Sequence, residues 1–377
     1  MSSAAILFSN IHDRDIPELT MNRSAGAIPF AGRYRLVDFA LSNLVNSNIY
    51  DVNMVAHYNY SSLMEHIGSG KEWDLARSTG GLKLLPPFMR ADSSMREVLY
   101  TTRLEALKSI VDTINAITED YIIMSDSNII CNIDLNDVIK QHKSTGADMT
   151  AVIKTVNMTR DNVNNDIIIK SDENGKIIDV KRNTPDLEGV SQVYMNICVF
   201  NRTYLQNIIN DAIAHNYHSM TFDVIRRNMK NSDFRVYDYK NFIMSIVSLK
   251  DYYNSSMEIL TNPDVRNELF RNKLRPIITR IRNSVPTYYG ENSNVKNSLI
   301  ADGCNIHGTV ENSIIFRGVT IGRGAVVRDS VIFKNVIIGK NAFINCCLSD
   351  INATVSDNMI LSGCKESPYY IGKNKRL

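Results

Sequence analysis

At 377 residues, with 44% hydrophobic and 22% charged residues and a formal net charge of +2, the chain has room for two domains and an ordinary globular composition. Lysine and arginine are mixed with aspartate and glutamate along its length, which excludes the basic stripe of a nucleic-acid binder. No stretch approaches the ~18 apolar residues of a membrane span, and the residues after Met1 carry no signal-peptide pattern, so the expected compartment is the cytoplasm.

The six cysteines (Cys131, Cys198, Cys304, Cys346, Cys347 and Cys364) fit no zinc spacing and are few for a disulfide framework in so long a chain. The adjacent pair Cys346–Cys347 reads as two small apolar choices in a reducing compartment. Met89, Met95 and the other methionines read as core filling. His57, His66, His142, His215 and His218 show no metal spacing beyond the three-residue step of the last two, which are expected on an exposed helix or loop.

In chain order, the first apolar run (Ala4 to Phe8) ends in a polar turn, as a buried first strand of an α/β domain would. In nucleotide-binding proteins that turn is usually glycine-rich, so that backbone N–H groups can crowd around a phosphate. Here it holds Ser9, Asn10 and His12, with no glycine before Gly26. Strands are predicted over 50–58, 120–130, 148–156 and 195–200, and helices over 99–117 and 134–146. In the first helical stretch Leu104, Leu107, Ile110, Val111 and Ile114 share one face. Residues 172–176, DENGK, are a turn signal of hairpin type. Alternating strand and helix implies a mostly parallel sheet covered on both sides.

From residue 293 the pattern changes. Cys304, Ile321, Ile338 and Val355 fall 17 residues apart, as do Val310, Val327 and Ile344, and again Ser313, Ser330 and Cys347. A repeat of this length with small or apolar residues turned inward describes a left-handed parallel β-helix (hexapeptide-repeat type) of roughly four coils. The segment before it, 271–293, carries five arginines and lysines and two prolines. It reads as an ordered connector whose basic face is solvated unless other arginines converge on it.

The stretches IPFAGRYRLVDFALSN (28–43), EHIGSGKEWDLARSTGGLKLLPP (65–87) and NSLIADGCNIHGTVENSIIF (297–316) resemble ADP-glucose pyrophosphorylase (glucose-1-phosphate adenylyltransferase). The second contains the single tryptophan, Trp73, and the resemblance covers nearly the whole chain. It implies a Rossmann-like nucleotidyltransferase domain over 1–240, a connector over 241–292 and the β-helix over 293–377.

The resemblance also implies a site that this sequence lacks. The family's glycine loop and arginine, GGxGxRL, correspond to Ser9, Asn10, His12 and Arg14, a vestigial nucleotide loop. Side chains there fill space that the phosphates need and disfavour the backbone conformations glycine supplies. The lysine of K-P-x-x-P-F is replaced at Ala25. The two metal-binding aspartates fall at Ser127, with Asp126 one residue away, and at Ser245. The sugar-phosphate lysine falls at Asn183, with Lys181 and Arg182 beside it. The small residues of S-M-G become Tyr194-Met195-Asn196, and Y-x-G-T-A becomes Tyr100-Thr101-Thr102-Arg103-Leu104. A serine hydroxyl cannot supply the charge of a carboxylate ligand, and losing one charge-stabilising group costs ~3–4 kcal/mol of transition-state stabilisation.

The expected function is therefore that of a non-catalytic, regulatory subunit. It would join a catalytic subunit, which uses the Mg²⁺ and ATP, in a heterotetramer, and could form homo-oligomers alone. Arg33 and Arg35, in GRYR, match the family position that helps to bind a phosphorylated activator, and arginine forks suit phosphate. The alternatives are a weakly active nucleotidyltransferase using Asp126, Lys181 and Arg182, a β-helix acyltransferase using His307, and a purely structural partner.

Overall fold

The computed structural model describes residues 2–86, 100–158, 166–184 and 188–377; Met89 and Met95 lie outside them. Apolar runs bounded by turn residues form a nine-stranded sheet: β1 (Ser3–Phe8), β2 (Asp51–Val55), β3 (Gly81–Leu85), β4 (Tyr121–Asp126), β5 (Met149–Met158), β6 (Ile167–Ser171), β7 (Ile177–Arg182), β8 (Gly189–Asn201) and β9 (Phe234–Asp238). Strands β4, β1, β2 and β3 are neighbours in that order and run parallel. Beyond β4 the long β8 runs antiparallel, pairing with β4, β5 and β6. The DENGK turn joins β6 to β7 as an antiparallel hairpin, as its sequence predicts.

Because β4 and β2 flank β1 on opposite sides, the chain reverses its winding there. The crevice outside the carboxyl ends of β1 and β4 is where open α/β sheets bind ligands. The helical stretch 99–117 breaks at Ile110 (φ −114°, ψ 23°) into α1 (Arg103–Ser109) and α2 (Val111–Ala116). Their apolar face closes on the sheet, where Leu104, Leu107 and Ile114 join Ile6, Phe8, Ile122 and Phe200 in one buried cluster. The helix α3 (Leu135–Thr145) starts on the Asp134 side-chain cap and stops at Gly146, whose φ of 64° suits glycine.

Packing does not follow chain order. One unit comprises Met1–Ile11, Phe39–Tyr60 and Ile67–Met244; the other comprises His12–Asp38, Ser61–His66 and Ser245–Leu377. The sheet belongs to the first. The second contains a left-handed β-helix of three sheets, each with five short parallel strands, so it has five rungs where the repeat suggests roughly four coils.

The inward columns explain the repeat and correct one member. Val310, Val327 and Ile344 stack in register. In the neighbouring column Ile306, not Cys304, stacks on Ile321, Ile338 and Val355, because the second coil, between Ile306 and Ile321, is two residues shorter than the others. Cys304 is buried nearby with its thiol 3.1 Å from the Phe316 carbonyl oxygen. On the third side a ladder of side chains ties the coils: Ser313 Oγ accepts from the Ser330 N–H and Ser330 Oγ from the Cys347 N–H, each at 3.1 Å. Asn335, Asn352 and Asn374 stack at corners with φ of 59°, a left-handed conformation that asparagine tolerates better than other side-chain-bearing residues.

Elsewhere in this unit Tyr252 lies edge-on to Phe30 and Phe333, each ring centroid 5.9 Å away, and its hydroxyl donates to the Pro29 carbonyl at 2.6 Å. All six cysteines are free thiols, and all but Cys364 are buried. Among the described residues no helix is long and apolar enough to cross a membrane.

Candidate functional site

In the sheet unit the loop that the resemblance aligns with the family's glycine loop begins as β1 ends. The Ser9 hydroxyl donates to the Val55 carbonyl at 2.9 Å, and the Ser9 N–H bonds the same oxygen at 3.1 Å. The Asn10 side-chain oxygen accepts from the Tyr100 hydroxyl at 3.3 Å. These two side chains are spent on holding the strand ends.

Asp126, the last residue of β4, is 1% exposed. Its carboxylate is clasped by Arg103: Nε donates to Oδ1 at 2.8 Å and Nη2 donates to Oδ2. Arg103 reaches it because Thr102 and Glu105 form a capping box that starts α1 there, while Leu104 and Leu107 anchor the helix below. Burial alone would lower the guanidinium's hold on its proton, but the Asp126 carboxylate overrides it and pushes the Arg103 pKa above its ordinary value. Burial pushes the neighbouring Cys198 thiol up to about 12 and the Tyr194 phenol well above its usual range, so both stay neutral.

Ser127 is buried, its N–H donates to the Phe8 carbonyl at 2.9 Å, and its Oγ has no hydrogen-bond partner among the described residues. Ser245 ends a short strand, Ile243–Ser245, and is half-buried. Lys181 and Arg182 are exposed, the latter with its guanidinium 5.4 Å from the Phe222 ring centroid, and Asn183 is half-buried. Tyr194 and Met195 are buried, and Asn196 takes the left-handed conformation (φ 54°) at a position where the family has glycine.

These residues do not fit the divalent cation that the family's chemistry requires. The carboxylate in the crevice already holds an arginine, and the residue after it offers an uncharged hydroxyl. Among the described residues no group of three or more His, Cys, Asp or Glu side chains is arranged to hold a metal ion.

In the other unit the chain from His12 to Ala27 is internally tied. His12 Nδ1 lies 2.8 Å from the Asp15 carboxylate, Arg14 is exposed, and the N–H of buried Ala25 donates to Asp13 Oδ1 at 2.6 Å. This unit also contains a cavity of about 440 Å³. Its walls carry Arg33, Arg35, Arg280, Arg282, Arg317, Lys334 and Lys373, against one carboxylate among the described residues, that of Glu65.

Two members of that cavity were singled out by sequence, and two belong to the connector whose basic face needed company. Arg35 is pinned, donating to the Ser62 carbonyl and hydroxyl at 2.6 and 2.9 Å, while its N–H donates to the Asp38 carboxylate at 3.0 Å. Burial pulls its pKa down to about 10, still far above neutrality. Arg33 is exposed, its guanidinium 5.4 Å from the Tyr34 ring centroid. Arg280 donates to the Glu65 carbonyl, and Arg282 lies 3.5 Å from the Glu65 carboxylate. Arg317 is shared with Asp302 at 2.9 Å. Lys334 and Lys373, from the β-helix, were missed because their approach is set by coil stacking.

A mixed sheet whose parallel strands carry a crevice at the strand order reversal, followed along the chain by a hexapeptide β-helix, is the architecture of the sugar-nucleotide class of nucleotidyltransferases. The family profile described as nucleotidyl transferase matches residues 16–262, and one described as GlmU-like, C-terminal hexapeptide matches residues 283–366. The chain is 34% identical to the glycogen biosynthesis protein GlgD of Bacillus subtilis (strain 168), over 98% of this chain and 95% of that one. It is 35% identical to the GlgD protein of Geobacillus stearothermophilus, over 82% and 78%, and 30% identical to the glucose-1-phosphate adenylyltransferase of Pseudothermotoga lettingae, over 86% and 76%. The chain belongs to the glucose-1-phosphate adenylyltransferase family.

Proposed function

We propose that this chain is a regulatory, catalytically silent subunit of glucose-1-phosphate adenylyltransferase, acting in glycogen synthesis in the cytoplasm. The catalysed reaction, ATP plus glucose 1-phosphate giving ADP-glucose and diphosphate, would be carried out by a catalytic partner in a heterotetramer. The observation that carries this reading is the Arg103–Asp126 clasp beside Ser127 at the carboxyl edge of β4. In-line attack on the α-phosphorus needs cationic stabilisation of the phosphates. The carboxylate at this edge is already neutralised, and side chains fill the strand ends where backbone would cradle phosphate.

The basic cavity supports the regulatory half. Seven cationic side chains around about 440 Å³ suit a ligand with more than one phosphate group, with Arg33 and Arg35 among its holders. A ligand acting on the partner's rate must bind two assembly states with different affinity, a coupling typically worth 1–3 kcal/mol. The similarity to proteins named for glycogen biosynthesis supports the pathway.

The test is a pair of assays. The purified homomer, given ATP, Mg²⁺ and glucose 1-phosphate, is expected to show no turnover above background. Co-expression with a catalytic subunit is expected to give a mixed complex with a changed response to phosphorylated effectors. Brisk turnover by the homomer, abolished by Asp126→Asn, would instead establish the weakly active enzyme. A mixed complex with an unaltered effector response would leave a structural partner.

A further inference from the structure

The crevice at the carboxyl edge of β4 has done more than lose metal ligands. We propose that the guanidinium of Arg103 is the resident cation of this cleft, neutralising Asp126 where this class of fold needs a divalent ion and thereby excluding one.

Charge balance is the first argument. With Ser127 in place of an aspartate the edge of β4 offers one carboxylate, and one guanidinium cancels it. A divalent ion on Asp126 alone would leave a net positive charge in a buried place, which is costly. Geometry is the second. The two-pronged contact, Nε to Oδ1 at 2.8 Å and Nη2 to Oδ2, engages both carboxylate oxygens, and Asp126 is 1% exposed, so an incoming ion must first displace the arginine. Permanence is the third. Arginine stays charged at all accessible pH, and the capping box at Thr102 fixes the start of the helix that bears it. Neutral Tyr194 and Cys198 beside the pair add no anionic donor that would recruit a second cation.

The inference rests on the silent-subunit reading for where the ion would be needed. Its test measures cation binding by the homomer rather than turnover, so the two fail separately. The full-length chain is titrated with Mn²⁺, following the electron paramagnetic resonance of the free ion, and its melting temperature is recorded in parallel. Wild type and Asp126→Asn are expected to give the same isotherm, with no melting shift in wild type. Arg103→Ala is expected to melt lower, and to recover part of the loss on adding millimolar Mn²⁺ or methylguanidinium. Both recoveries are expected to vanish in the Arg103→Ala/Asp126→Asn double variant. If Arg103→Ala does not fold, Arg103→Gln, of nearer length, is read by the same criteria. A Mn²⁺ site in wild type that Asp126→Asn removes would overturn the proposal. So would a folded Arg103 variant that neither cation rescues.

Discussion

Arg23 and Asp350, separated by 327 positions, form a buried ion pair in which Nη2 lies 2.7 Å from Oδ1 and 2.9 Å from Oδ2. The side chains are 3% and 2% exposed, and the Tyr370 hydroxyl donates to the same carboxylate at 3.0 Å. The pair joins the segment after the loop at Ser9–Arg14 to the fourth rung of the β-helix. Replacing Asp350 by alanine leaves a buried guanidinium without its carboxylate, and breaking a buried pair in this way costs ~3–5 kcal/mol. Urea unfolding of Asp350→Ala is expected to show a loss of that order, with a smaller loss in Asp350→Asn, which keeps an acceptor.

Asp13 gives a pH dependence of defined sign. Burial pushes its carboxyl from 3.8 up to about 8, against the pull of the Ala25 N–H and of His12. Its folded-state pKa is raised, so the native state binds the proton more tightly than the unfolded one. The contribution is therefore fully present below about pH 4 and is lost as pH rises toward 8. Asp13→Asn keeps the acceptor for Ala25 without the ionisable group. The stability of this variant relative to wild type is expected to improve between pH 5 and 8 by more than about 1 kcal/mol, one pKa unit being worth about 1.4 kcal/mol. Parallel denaturant curves across that range measure it, and two superimposable pH profiles would contradict it.

Arg33 and Arg35 line the same cavity but are held differently, and their alanine variants should separate. Arg33 is exposed, so Arg33→Ala is expected to leave the unfolding free energy within about 0.5 kcal/mol. It should nonetheless weaken a phosphorylated ligand by the worth of a charge-assisted hydrogen bond, ~1.5–3 kcal/mol. Arg35→Ala removes the bonds to Ser62 as well and is expected to lower stability together with binding. Calorimetric titration with inorganic diphosphate, beside thermal melts, distinguishes the two patterns. Diphosphate binding unchanged in both variants would remove the pair from the ligand's reach.

The serine ladder of the β-helix can be cut at one rung. Ser330→Ala leaves the buried Cys347 N–H without its 3.1 Å acceptor. An unpaired buried donor costs ~1–3 kcal/mol. Because each coil stacks only on its neighbours, the loss is expected to appear as faster amide exchange in the rungs around Ser330 before global unfolding. Uniform exchange throughout the β-helix would argue against local ties of this kind.

The elements of both halves were largely legible in the sequence, because runs such as Ile122–Met124 and the column Val310, Val327, Ile344 repeat at the period of the structure they form. Cys304 misled because a shortened second coil shifts register without altering the hydrophobic pattern by which a coil is recognised. The break at Ile110 was hidden because the apolar face continues across it. Ser127 and Ser245 could be read as uncharged residues where the resemblance implies aspartates, whereas the partner of Asp126 could not be read at all. Arg103 lies 23 residues before it, and only the packing of α1 on the sheet brings the two together. Likewise, Arg280 and Arg282 could be named as a basic face, but not as neighbours of Lys334 and Lys373, since rung stacking sets that proximity.

The interleaving of the two units bears on how such a chain can be divided or recombined. Residues 12–38 and 61–66 are covalently part of the amino-terminal half, yet they are built into the body that holds the β-helix. A gene cut near codon 240 would deliver one fragment with surplus arms and another without the segments that cluster with it, Arg23 among them. Exchange between paralogues that yields a sound product must transplant three separate stretches together, so the two halves are constrained to be inherited as one.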